Sequence, residues 1–390
     1  MNMRVYILAA AAFIVGTVEF IIGGILKLVA DDLDVSIGAA GQLISVFSLF
    51  FAFSAPVLLN ITAKMERKRL YIWTMFVFLL GNILAAMSAD YTMLMIARIL
   101  TAITGSLLIV LTITIASGIV APAYQGRAIG TVFMGISASL VLGVPFGMVI
   151  GNAFGWRTTF IVMSVLTVVA IICIYKLLDP IEPKPVVPIR KQIQALRSSK
   201  ILSAQFITFF MLTGHLTLYA YLTPFLQDAL GLAPSIVTAV YFIFGTAAVI
   251  GGGLGGWLSD KWGPQRSILT IISLFAIVLT IFPLATKLPL YVFLIILVIW
   301  SALSWAIAPA QQTYLIESAP ETADIQMGLN TSASHFGIAL GSLIGGIVIE
   351  KSSVLYNAWA GVVFILLALT CAIFSVTRRS EIIETNLTKS

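Results

Sequence analysis

Gly143-Val-Pro145-Phe-Gly147-Met-Val-Ile-Gly151, followed directly by Asn-Ala-Phe-Gly-Trp156-Arg157, sets a proline and three glycines inside an otherwise apolar run. In water such a run weakens a helix. In a bilayer the same residues let helices approach closely and bend against each other, so the stretch predicts a membrane helix in a protein that moves.

Composition points the same way, because a chain of 390 residues that is 60% apolar and 10% charged cannot present an ordinary soluble surface. A span needs about 20 apolar residues. Twelve stretches qualify: 5–26, 40–61, 70–89, 92–117, 129–151, 158–178, 201–226, 235–258, 267–286, 289–312, 328–350 and 354–377. The first runs unbroken from Val5 to Leu26, too long for a signal-peptide core, and reads as the first span. Cys173 and Cys371 lie in separate spans, which suggests neither a disulfide framework nor a metal cluster. No Gly-x-x-x-x-Gly-Lys-Ser/Thr loop occurs, so ATP is not the expected power source and no cofactor is expected beyond a proton gradient.

Orientation follows from the basic residues of alternate loops. With the N-terminus inside, 17 of the 22 Lys and Arg fall on the cytoplasmic side, among them Lys184, Arg379 and Lys389. Only Lys27, Arg157, Lys287 and Lys351 fall outside, and Arg98 lies within a span. Both ends are therefore predicted cytoplasmic. The net charge of +6 is a topological signal, not one for nucleic acid.

Slid against itself by 198 residues, the chain repeats: Gly130, Gly143 and Gly147 fall on Gly328, Gly341 and Gly345, and Cys173 falls on Cys371. Two six-helix bundles, 1–178 and 201–390, joined by a polar, proline-rich cytoplasmic linker at 179–200, explain this pattern. Parallel repeats of this kind place a transport site near the midplane between the halves.

With these residues in view, the chain resembles the major facilitator superfamily. Gly143-Val-Pro145-Phe-Gly147 resembles the helix-5 motif of its proton-coupled drug efflux antiporters. Gly256-Trp-Leu-Ser-Asp260-Lys261-Trp-Gly263-Pro-Gln-Arg266 matches the superfamily signature between helices 8 and 9. The first-half copy carries Leu58, Thr62 and Met65 where Gly, Asp and Gly are expected, so the cytoplasmic latch is assigned to Asp260, Lys261 and Arg266. Val-Gly-Thr-Val-Glu19-Phe in helix 1, Leu-Thr-Gly-His215-Leu-Thr-Leu-Tyr219 in helix 7 and Trp300-Ser-Ala-Leu-Ser-Trp305 in helix 10 are similar to bacterial purine base and nucleoside efflux pumps. The resemblance implies twelve transmembrane helices in two pseudo-symmetric bundles. It implies proton-driven export of bases such as adenine, hypoxanthine and guanine across a bacterial inner membrane by a monomer. A multidrug or arabinose-like sugar exporter is the alternative.

Glu19 is the one acid well inside a predicted span. Inserting such a group costs about 2.5 to 3.5 kcal/mol. Loss of water penalises the ionised carboxylate, which makes Glu19 the proton-carrier candidate. Its partner by depth is Arg98: counting along the helices puts both roughly 10 Å from the outer ends. A structural ion pair is the plainer reading, and the two agree if protonation of Glu19 releases Arg98. His215 and His335 can each serve proton or substrate, or simply bridge helices. The amides Gln42, Asn82, Gln311, Gln312 and Asn330 offer paired donors and acceptors such as a nucleobase edge requires, although amides also join helices at about 0.6 kcal/mol each. Tyr219 and Trp300 are chosen to stack on a planar ligand over Trp305 and Phe242. Gly143, Pro145, Gly147 and Gly151 are expected to pack and bend helix 5 without touching substrate. No metal cluster, nucleophile–base pair or phosphate loop suggests an enzyme. A receptor without turnover is disfavoured by the repeat and the buried acid.

Overall fold

The computed structural model describes residues 3–121, 124–183 and 188–378; Lys184, Arg379, Lys389 and the middle of the linker lie outside them. Twelve helices in the described residues are long and apolar enough to cross a membrane. They are α1 (Met3–Asp32), α2 (Ile37–Ile61), α3 (Arg67–Ala86), α4 (Tyr91–Gly118), α5 (Gln125–Phe154) and α6 (Trp156–Leu177). After a short linker helix, Ile189–Gln194, come α7 (Ser199–Tyr219), α8 (Pro234–Trp262), α9 (Pro264–Ile281), α10 (Leu290–Ser318), α11 (Ala323–Lys351) and α12 (Tyr356–Thr377).

Every predicted stretch becomes a span, with differences at the ends that have local causes. The seventh stretch, read to residue 226, breaks after Tyr219 into one turn at Leu222–Pro224 and a wide turn at Phe225–Ala229. Pro224 cannot donate to the carbonyl four residues back, so the ladder opens there. The eighth extends to Trp262, where Gly263 at φ +81° makes the reversal into α9.

α5 shows how the opening motif works. Pro145 has no N–H, and its ring crowds the carbonyl of Val141. The helix responds with a π turn at Ser139–Gly143, in which the Val144 N–H donates to the Ser139 carbonyl five residues back. Beyond that turn the glycines face α1. A Cβ on Gly143 would meet the Thr17 side chain; on Gly147 it would come within 2.5 Å of Ile21 Cδ1, and on Gly151 within 3.2 Å of Ile25 Cγ2. α1 reciprocates, with Gly16 against Ser139 and Gly24 against Met148. In the second half, Gly337, Gly341 and Gly345 of α11 lie on the carbonyls of Phe209, Thr213 and Thr217 of α7. The offset of 198 thus corresponds to the same helix pairing.

Loops sort to two ends of the molecule. At the basic end Arg4 pairs with Asp179, the Ile181 N–H donates to the Glu66 carboxylate at 2.6 Å, and Gln326 Nε2 donates to the Ala195 carbonyl at 3.1 Å. At the far end Arg157 bonds Asp32 and the Ser88 carbonyl. The halves meet at the far end. Lys27 of α1 pairs with Asp228 at 2.8 Å, Ser36 donates to Glu350 of α11, and Thr223 donates to the Gly23 carbonyl at 2.8 Å. Deeper in, Ser45 and Ser342 join α2 to α11 at 2.8 Å, and Gly245 of α8 lies on the α5 backbone at Leu140 and Val141. Towards the basic end, Gly130 of α5, three turns on, and Gly252 of α8, two turns on, continue these faces with nothing within 4 Å, as does Gly328 on α11. The two bundles splay apart towards the basic end.

Two outcomes test this packing. Gly143→Ala is expected to cost about 1–3 kcal/mol by overpacking, lowering the melting temperature in detergent, and Thr17→Ala in the same chain should restore most of the loss. Glu66 caps α3, accepting from the Lys68 and Arg69 N–H groups at 2.7 and 2.8 Å. Partial burial pushes its carboxyl up, but the N–H groups of Ile181, Lys68 and Arg69 and the Lys68 charge outweigh that and hold it below the ordinary value. A lowered folded pKa stabilises at neutral pH and is lost as pH falls through it. Melting between about pH 6 and pH 3 should therefore drop more steeply for the parent than for Glu66→Gln.

Candidate functional site

Glu19 and Phe20 are the half-buried residues in a stretch of α1, 14–26, whose other members are all buried. The glycine interlock with α5 covers the face carrying Thr17, Ile21 and Ile25, so Glu19 is turned away from it. Among the described residues its carboxylate accepts no hydrogen bond and forms no ion pair. The expected contact with Arg98 takes another form: Arg98 Nη1 donates to the Val18 carbonyl at 2.7 Å and Nη2 to the Glu19 carbonyl at 3.4 Å. The guanidinium, 1% exposed, also lies over the Phe47 ring with Cζ 4.0 Å from its centre. Through these carbonyls the Arg98 charge is nonetheless held beside Glu19. An acid beside a fixed cation, with no bond to break, can gain or lose a proton without unfolding its surroundings.

A second group of predicted residues converges in the C-terminal half. His215, Tyr219 and Trp300 share one aromatic cluster: the His215 ring is 5.2 Å from both Tyr219 and Trp300, and Phe244 lies 4.8 Å from Tyr219 and 5.2 Å from Trp300. Each brings a buried polar atom without a partner among the described residues, namely His215 Nδ1, the Tyr219 hydroxyl and Trp300 Nε1. Such orphans are costly and uncommon in folded proteins, and here three lie in one cluster. Phe275 of α9 backs the His215 ring at 5.9 Å, so the imidazole lies within its own bundle.

Other predicted residues are dispersed. Asn82 is fully buried on α3, bonding the Phe78 carbonyl of its own helix, and α3 packs on α4 and α6 away from the seam. Its Oδ1 is buried without a partner among the described residues. Gln311 donates to the Ala204 carbonyl, and Asn330 donates to Gln205 and Thr208, so both tie α7 to its neighbours. Gln42 lines a cleft of about 640 Å³ with Ser45, Gln205, Phe206, Phe336 and Leu340, apolar and on the flank between α2, α7 and α11. His335 spans the seam, stacked on Phe51 of α2 at 4.0 Å. Asp260, Lys261 and Arg266 are exposed at the splayed end. Among the described residues Asp260 and Arg266 form no hydrogen bond or ion pair, and Lys261 lies over Trp257. A latch built from them is not engaged in this arrangement.

Some participants escaped the sequence reading. Phe244, not singled out in the sequence, joins the cluster, while Phe242, passed over there, is 47% exposed on the outer surface, because only one of two residues two apart on a helix can face inward. Phe47 and Phe51 stood among 24 phenylalanines with nothing to single them out. Lys27 and Asp228 lie 201 positions apart, and only the fold brings them together.

The sequence description Major Facilitator Superfamily matches residues 8–341. The chain is 36% identical over 370 residues to the uncharacterized MFS-type transporter YbcL of Bacillus subtilis (strain 168), covering 95% of each chain. It is 31% identical over 349 residues to the inner membrane transport protein YdhP of Escherichia coli (strain K12), covering 90% of this chain and 89% of that one. Among solved structures, a D-xylose-proton symporter superimposes with a TM-score of 0.80 at 15% identity, covering 96% of both chains. A bacterial homolog of the human lysosomal transporter Spinster, inward-facing and occupied, gives 0.77 at 16% identity over 95% of this chain and 96% of that one.

Proposed function

We propose, since the chain belongs to the Major Facilitator Superfamily and is a multi-pass membrane transporter rather than an enzyme, that it exports purine bases and nucleosides in exchange for protons. The observation that carries the substrate class is the cluster of His215, Tyr219 and Trp300, whose three orphaned polar atoms sit among aromatic faces. A neutral heteroaromatic base has the flat π face to stack on these rings and ring nitrogens to bond the orphans.

Proton coupling rests on Glu19 and Arg98. If the basic end is cytoplasmic, as the positive-inside rule assigns it, the splayed arrangement is inward-facing. Rocking of the two bundles would close the basic end, where Asp260, Lys261 and Arg266 lie, and open the far end. Glu19 takes a proton from outside, and with its negative charge gone Arg98 is held by backbone carbonyls and the Phe47 face alone. The proton leaves inward as the solute leaves outward. A potential of 100 mV supplies about 2.3 kcal/mol per charge, enough for one proton per neutral solute to sustain roughly a fortyfold gradient. One chain carries both halves, so a monomer in a bacterial inner membrane suffices.

In inverted vesicles with an imposed pH gradient, the protein is expected to accumulate labelled adenine, hypoxanthine or guanosine ahead of arabinose or a cationic dye. Accumulation of the dye or the sugar with no purine would replace the purine reading by the multidrug or sugar one. Trp300→Ala should raise the KM for a purine by about tenfold, the loss of roughly 1–3 kcal/mol of base stacking. Glu19→Gln should fold normally and exchange solute for solute while losing gradient-driven accumulation; full driven accumulation in that variant would remove Glu19 from the proton path.

A further inference from the structure

We propose that Phe47, Phe51 and His335 form a stacked relay carrying the state of the Glu19–Arg98 centre across the seam, which makes His335 a positioning residue for coupling. The inference rests on the proton-coupled reading above. Its parts are contiguous. Arg98 Cζ lies 4.0 Å from the centre of the Phe47 ring, Phe47 is 5.8 Å from Phe51, and Phe51 stacks on His335 at 4.0 Å with 24° between the planes. Phe47 and Phe51 sit four apart on α2 and so share one face. They are 1% and 5% exposed, and His335 is 7% exposed. The row is sealed from lipid and solvent along its length.

Two features make this row a transmitter and not merely filling. On the first-half side, Ser106 of α4 donates to the Phe51 carbonyl at 2.7 Å and accepts from the Ala55 N–H at 3.2 Å, so α2 is fixed to the helix that carries Arg98. On the other side, among the described residues His335 Nδ1 has no partner and neither nitrogen bonds across the seam, so stacking is what holds the ring against α2. A rigid element therefore ends on a contact that can slide.

Position along the seam matters equally. Gly328, His335 and Ser342 lie seven apart on one face of α11. Ser342 is bonded to Ser45 of α2, His335 is stacked on Phe51, and Gly328 has nothing within 4 Å. With Ser332 donating to the Ala52 carbonyl at 3.0 Å, the stack lies where the joined part of the α2–α11 seam gives way to the open part. That is the fulcrum of a rocking motion. Neutralising Glu19 removes the charge acting on Arg98; the guanidinium resettles on Phe47, and the displacement passes through Phe51 to the fulcrum.

The test compares two assays in proteoliposomes: accumulation driven by a pH gradient, and solute-for-solute exchange without one. Phe51→Ala and His335→Ala are each expected to lower driven accumulation about tenfold, an ordinary coupling free energy, while exchange stays within about twofold. His335→Phe keeps the ring and should recover most of the driven activity. Driven accumulation that survives both alanine variants would overturn the relay, and so would loss of both assays together without rescue by His335→Phe, which marks plain packing. Glu19→Gln run alongside separates the levels. If it abolishes driven transport and the His335 and Phe51 variants do not, the relay alone falls; if it leaves driven transport intact, the proton-coupled reading falls with it.

Discussion

The close approach of α1 and α5 is the constraint on which the rest of the molecule depends. Lipid tails are as apolar as leucine, so no hydrophobic drive holds one membrane helix to another, and contact must come from shape. Here shape is supplied by glycines on both helices, Gly16 and Gly24 receiving Ser139 and Met148 while Gly143, Gly147 and Gly151 receive Thr17, Ile21 and Ile25. The interlock fixes the rotation of α1 and thereby aims Glu19. It also explains why a proline sits where one would break a soluble helix: the π turn it forces at Ser139–Gly143 re-registers the lower part of α5 against α1 without leaving a span.

The same geometry recurs between α11 and α7, but the chemistry does not. At the offset of 198, Glu19 corresponds to Thr217 and Thr17 to His215. Thr217 is buried and bonds the Thr213 carbonyl of its own helix, so the second half has no acid at the equivalent place. It has an aromatic cluster with orphaned polar atoms instead. Packing symmetry lets the halves rock as equals, and chemical asymmetry, on the proposed reading, divides proton handling from solute recognition between them.

Much of this was legible in the sequence, and the limit of legibility is physical. Lipid makes long apolar stretches obligatory, so twelve spans could be read directly, and the glycine–proline run announced a close helix crossing. Glu19 stood out because an acid in a span is expensive. The grouping of His215, Tyr219 and Trp300 was also within reach, since polar aromatics are conspicuous among apolar neighbours. Which partner an amide finds was not: Asn82, Gln311 and Asn330 look alike in sequence, yet each donates to a neighbouring backbone or side chain that only packing reveals. Phe47 and Phe51 were invisible for the opposite reason, since in a chain rich in phenylalanine a functional ring differs from a packing ring only by what lies beside it.

The contacts between the halves explain how such a molecule stays switchable. The Lys27–Asp228 pair is 36% and 50% exposed in its two side chains, and a pair that open to its surroundings contributes about 1 kcal/mol at most. Ser36–Glu350 and Thr223–Gly23 add further polar contacts at the same end, while among the described residues Asp260 and Arg266 make none at the other. Closing one end with a few weak contacts leaves a bias of the same order as the roughly 2.3 kcal/mol that one charge gains from 100 mV. A deeply buried ion pair across the seam would instead cost several kcal/mol to break, and the bundles would stay shut. The absence of a carboxylate–guanidinium bond between Glu19 and Arg98 follows the same logic on the proposed reading, for a group that trades its proton in each cycle is best left near its counter-charge and unbonded.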